Sequence, residues 1–225
     1  MKALVDVAWE NLELAIRMIE ATGPSVHNSG DERLISISYL LSNCVADLAC
    51  ALQTIRPGFV RAAQITARAA LENLAVAIVL HNDKAKFSDF QNDQLDPNKC
   101  IGPAKKIFRE IGEAYGLLSN HFVHEKSASL ARSTRADGNR LRFLVLPSLD
   151  KTETRAIAYA LLAVIHLLNL TAAVGELIFA RHLTSYEHWI IRNGDELEQK
   201  IPDCMRELLR ELGDGLVERI AANVD

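Results

Sequence analysis

The stretch from Val60 to His81 constrains this chain more than any other. It is apolar nearly all round at helical spacing, and a helix with no polar face has to lie at the centre of a packed bundle. Its exception is a narrow stripe. Arg61, Gln64, Arg68 and Glu72 fall within about 80° of one another at about 100° per residue. Two guanidinium groups and a carboxylate on such a helix must be paired or must face a cleft. One explanation is an Arg68–Glu72 ion pair at i,i+4 with Arg61 snorkelling to water. The other is a ligand-binding stripe. Both stay open at this point.

The remaining segments supply partners for that helix. Leu4 to Ile19 repeats apolar residues at helical spacing, and Gly23-Pro24 is expected to stop it. Asp31 suits the N-cap of a second helix running to about Gln53, with Leu34, Ile37, Leu40, Leu41, Cys44, Leu48 and Leu52 on its apolar side. Pro57-Gly58 is expected to end it. Asp83 to Lys99 reads as a connection with a short helical turn anchored by Phe87 and Phe90. Pro103 suits the first turn of a fourth helix, whose apolar face is Ile107, Phe108, Ile111, Ala114, Tyr115, Leu118 and Phe122.

Glu125 to Arg142 has five basic and two acidic residues, a local charge of +3, and reads as a mobile loop. A short extended run from Leu141 to Leu146 follows it. Asp150 opens a long helix to about His182. After a break at Gly194, Met205, Leu208, Leu209, Leu212, Leu216 and Ile220 mark a last amphipathic helix. The expected architecture is all-α, an antiparallel up-and-down helical bundle. Its parts are an N-terminal helix and link (1–30), a bundle domain (31–182) and a C-terminal helical extension (183–225).

Composition excludes several classes. With 49% apolar and 24% charged residues among 225, the chain is not disordered as a whole. A formal charge of −4 provides no global basic field for nucleic acid. Cys44, Cys50, Cys100 and Cys204 form no CxxC pair or zinc spacing, and Cys44 and Cys50 read as small core residues. Met1-Lys2 runs directly to Asp6 and Glu10 with no secretory apolar region, so a cytoplasmic location is expected. Ile157 to Ala180 is long enough to cross a bilayer. His166, Asn169, Thr171 and Glu176 within it argue for a buried bundle helix, so no membrane association is expected.

Conventional enzyme signatures are missing, whether Gly-rich phosphate loops, HExxH or GxSxG. No metal site or cofactor is implied. The acid-base residues that remain close the fourth helix. Asn120 and His124 share a face at i,i+4, whereas Ser119 and His124 lie about 140° apart. A histidine that titrates near neutrality can move a proton, and an asparagine can orient it or bind an oxyanion. The plain alternative is that both residues terminate the helix, His124 complementing its negative end.

Arg68-x3-Glu72 on a buried helix, Phe87 and Phe90, then Tyr115…Ser119-Asn120-x3-His124 together resemble the HEPN-like helical proteins of bacteria over roughly residues 31 to 182. The resemblance implies a helical bundle, often a homodimer, that binds nucleotide or RNA, with many relatives in phage-defence or toxin–antitoxin systems. It thus implies an antitoxin-like protein partner as well. Active relatives are metal-independent ribonucleases that use an arginine, a polar residue and, after three more residues, a histidine. Asn120 and His124 match the last two. Ser119 stands where the arginine should be, so nothing there offers bidentate neutralisation of a scissile phosphate.

The expected function is therefore nucleotide or RNA binding by a weak or inactive ribonuclease. Asn120 and His124 are the catalytic candidates. Arg61, Arg68, Glu72, Tyr115 and Ser119 would hold ligand, and Lys126, Arg132, Arg135, Arg140 and Arg142 would contact phosphates. The alternatives are a non-catalytic helical homo-oligomer, or a bundle that binds a small anionic ligand at the Arg68/Glu72 stripe.

Overall fold

The computed structural model describes residues 2–55, 59–118, 134–137, 140–143 and 151–183. The fold is all-α. Its helices are α1 (Lys2–Asn28), α2 (Glu32–Ile55), α3 (Val60–Asn82), α4 (Lys86–Gln91), α5 (Pro97–Ala104), α6 (Arg109–Leu118) and α7 (Lys151–Phe179). A short antiparallel ribbon, β1 (Thr134–Asp137) and β2 (Arg140–Phe143), precedes α7, and a 3-10 turn (Ala180–His182) follows it. The last amphipathic segment, Met205 to Ile220, lies outside the described residues, as does Pro57-Gly58.

α3 occupies the centre. Twelve of its residues are buried, and it packs on α2, α5, α6 and α7. The pattern that makes it hydrophobic nearly all round is therefore satisfied on several sides by different helices. α2 lies antiparallel to it. The Asp31 carboxylate caps α2 by accepting from the backbone N–H of Arg33 (3.0 Å) and Leu34 (3.1 Å), as its position predicts. Arg33 then donates from Nη1 to the carbonyls of Leu80 (2.9 Å) and His81 (3.1 Å). A cation thus closes two of the orphan acceptors at the C-terminal end of α3. Farther along, Asn73 donates to Asp47 at 3.2 Å.

α1 does not stop at Gly23-Pro24 but runs through Pro24 to Asn28. An interior proline costs roughly 3 kcal/mol, and packing of the extra turn offsets it. Val26 is buried, and Ser25 Oγ hydrogen-bonds His182 Nδ1 at 2.9 Å. The helix ends at Gly30, whose φ of +67° is the left-handed conformation that glycine adopts without strain.

The alternating order expected of an up-and-down bundle holds for α1, α2 and α3 and breaks at α7. Ser25 meets His182, and Gly175 faces Met18. Both pairs are 157 positions apart, so α7 runs parallel to α1.

The fourth helix also departs from expectation. Instead of one helix beginning near Pro103, there are two short ones. Asp96 caps α5 by accepting from Asn98 N–H, Pro97 fills its first turn, and Pro103 lies near its end. The chain turns at Lys105–Ile107 and restarts at Arg109. The Lys105 stem lies against Gly112, where a Cβ would meet its Cδ at 3.2 Å. Ile111, Ala114 and Leu118 are buried as expected, but the turn leaves Ile107 exposed.

The segment 125–142, read as a loop, contains β1 and most of β2, and β2 overlaps the start of the extended run expected from Leu141. Their register pairs Thr134 with Phe143, Arg135 with Arg142, Ala136 with Leu141, and Asp137 with Arg140.

The expectation of no membrane association is overturned. Among the described residues three helices, Glu32–Ile55, Val60–Asn82 and Ile157–His182, are long and apolar enough to cross a membrane by length and composition. The Leu/Ala faces of α2 and α3 raise their hydropathy into the range that the segment from Ile157 also reaches. The ground for a cytoplasmic location falls with it, and the described residues lend no support to a homodimer, an RNA partner or an antitoxin-like one.

At Gly175 a Cβ would lie 2.3 Å from Met18 Cε and 2.5 Å from its Sδ. The methionine end is flexible, but Met18 is fully buried and has little room to yield. Gly175→Ala should therefore destabilise the fold by about 1–2 kcal/mol in denaturant titrations. Met18→Ala in the same chain should make the pair cost less than the sum of the single changes. A fully additive pair would place the two residues out of contact.

Candidate functional site

The polar stripe of α3 ends in a closed network drawn from three helices. Arg68 Nε donates to Glu72 Oε1 at 3.0 Å. Its Nη2 donates both to Asn98 Oδ1 of α5 (3.1 Å) and to the Tyr115 hydroxyl of α6 (3.0 Å). Tyr115 in turn donates its hydroxyl proton to Asn98 Oδ1 at 3.3 Å. The guanidinium carbon lies 5.0 Å from the centroid of the Tyr115 ring, within range of a cation–π contact.

Local sequence explains each placement. Helical spacing sets Arg68 beneath Glu72, so their pairing needs no tertiary help. The Asp96-Pro97 start of α5 fixes Asn98 in its first turn. The buried face of α6, Ile111, Ala114 and Leu118, carries Tyr115 at its edge. The side chains of Arg68 and Glu72 keep 20% and 21% of their surface exposed. The ion pair is therefore largely buried yet still reaches water, at the rim of the α3–α5–α6 junction.

Three of the five expected ligand-binding residues thus converge: Arg68, Glu72 and Tyr115. Arg61 lies exposed nearer the start of α3. Ser119, Asn120, His124, Lys126 and Arg132 fall outside the described residues. Arg135, Arg140 and Arg142 occupy the ribbon. Sequence reasoning missed Asn98. Its only signal was the helix-start signature beside it, because an asparagine in a polar connection follows no periodicity.

The stripe's other member, Gln64, is 3% exposed, and its Nε2 has no hydrogen-bond partner among the described residues. An unmet buried donor is rare and calls for an explanation.

Burial pushes the Cys44 thiol up to about 12, against its hydrogen bond with Thr171, which lowers it, so it behaves as a core residue. Cys100 is also buried. Cys50, expected in the core, is exposed, because it follows the polar outer face of α2. Among the described residues no group of three or more His, Cys, Asp or Glu side chains could hold a metal ion.

No family model, curated protein or solved structure matches the chain.

Proposed function

We propose that this chain is a helical binding domain that holds a small anionic ligand at the Arg68 network. One observation carries the reading. A guanidinium fixed by Glu72, Asn98 and Tyr115 makes no hydrogen bond from Nη1 among the described residues, and the side chain is still partly exposed. The three fixed donors orient the group before a ligand arrives, which lowers the entropic cost of binding. A polar network at the rim of an apolar helix adds little stability compared with well-packed apolar side chains, so binding gives it a reason to exist.

A small anion should raise the melting temperature of the wild-type chain. Arg68→Gln should abolish that shift while the circular dichroism spectrum stays helical. An unchanged shift in the variant would place the binding site elsewhere.

A second reading, nucleotide or RNA binding at the ribbon as the HEPN-like resemblance implies, has its own support. In the ribbon Arg135 stands directly opposite Arg142. Like charges in directly opposed positions are unfavourable, and a phosphate would relieve the repulsion. The three arginines and Asp137 of the ribbon leave a charge of +2 in eight residues.

Single-stranded RNA should bind at low salt and weaken steeply as salt rises. Reversing Arg135 and Arg142 to Glu should remove that binding, and His124→Ala should remove any cleavage. RNA binding that ignores both the salt and the charge reversal would contradict the reading.

A further inference from the structure

We infer that Gln64 extends the Arg68 site inward and that the site takes a small monocarboxylate rather than a phosphate, an inference that rests on the ligand-binding reading above. The donor inventory decides the class. Arg68 carries five N–H bonds. Nε is committed to Glu72, and both protons of Nη2 to Asn98 and Tyr115. What remains, among the described residues, is the single nitrogen Nη1.

A phosphate dianion is best held by a bidentate fork carrying net positive charge. Here the fork is broken, and Glu72 already neutralises the guanidinium. One charge-assisted donor with no net field suits a monoanion.

The second donor comes from Gln64. It precedes Arg68 by one helical turn on the same face, with Cβ atoms about 6 Å apart. It lies deeper than Arg68: Gln64 is 3% exposed, and its Nε2 has no partner among the described residues. An amide donor buried without an acceptor bears its full desolvation penalty. A carboxylate offers one oxygen to each nitrogen and would satisfy both. Glutamine at this position also carries no charge, so it adds a hydrogen bond without drawing in a second negative charge.

Titrating the full chain with acetate and with inorganic phosphate, while following the side-chain amide of Gln64 by NMR, tests this directly. Acetate should shift the Gln64 amide resonances and saturate. Phosphate should bind about tenfold more weakly or not at all. Gln64→Leu should weaken acetate about tenfold, the usual worth of one such hydrogen bond. Gln64→Met, of similar length and without an N–H donor, should weaken it to the same extent, which covers the case in which the leucine variant fails to fold. Acetate binding unchanged in either folded variant would overturn the role of Gln64 and leave the Arg68 reading intact. Phosphate binding more tightly than acetate would overturn the ligand class alone. Neither anion binding to the wild-type chain would overturn both this inference and the proposed function.

Discussion

A helix that is apolar nearly all round can be stable in only one place, and that requirement organises the chain. α3 must be surrounded, so α2, α5, α6 and α7 each take a side of it. Any charge on it must then find partners within reach or lie at a rim. Arg68 does both. Its ion pair with Glu72 is local, its bonds to Asn98 and Tyr115 are long-range, and a fifth of its side chain stays in contact with water. The network therefore links the central helix to the α5–α6 hairpin at the point where the apolar packing ends.

The second constraint is the close approach of α1 and α7. Gly175 allows the two helices to meet at Met18, and the Ser25–His182 bond fixes their C-terminal ends together. Both contacts require α7 to run parallel to α1. The chain between α3 and α7 must consequently return along the bundle before α7 can begin. That return path includes α5 and α6, which carry Asn98 and Tyr115. Both ends of the α5–α6 hairpin meet at Arg68, so the same hairpin that covers α3 completes the polar network.

Much of this was legible in the sequence where the cause is local. Asp31 caps α2 because its own carboxylate reaches the next N–H groups. The all-round apolar character of 60–81 marks α3, and i,i+4 spacing marks the Arg68–Glu72 pair. What was illegible depends on distant contacts. Pro24 looked like a stop, and only the burial of Val26 and the bond to His182 carry α1 past it. The corner at Lys105–Ile107 cannot be read from a pattern that stays amphipathic across it. Asn98 enters the site through folding alone, as does the opposition of Arg135 and Arg142 across the ribbon. The membrane-length hydropathy of α2 and α3 was misjudged because one segment alone was weighed, whereas packing several apolar helices together makes each of them hydrophobic enough to pass.

The central claim is that the Arg68 network exists to bind rather than to hold the fold together. The most direct test replaces its ion pair by apolar side chains of similar reach, Arg68→Met with Glu72→Met, and measures unfolding in urea. Burying apolar groups in place of a half-buried ion pair is expected to leave stability unchanged or to raise it by about 1 kcal/mol. A loss of about 3 kcal/mol or more would contradict the claim, because it would make the network a structural tie on which the packing of α3, α5 and α6 depends.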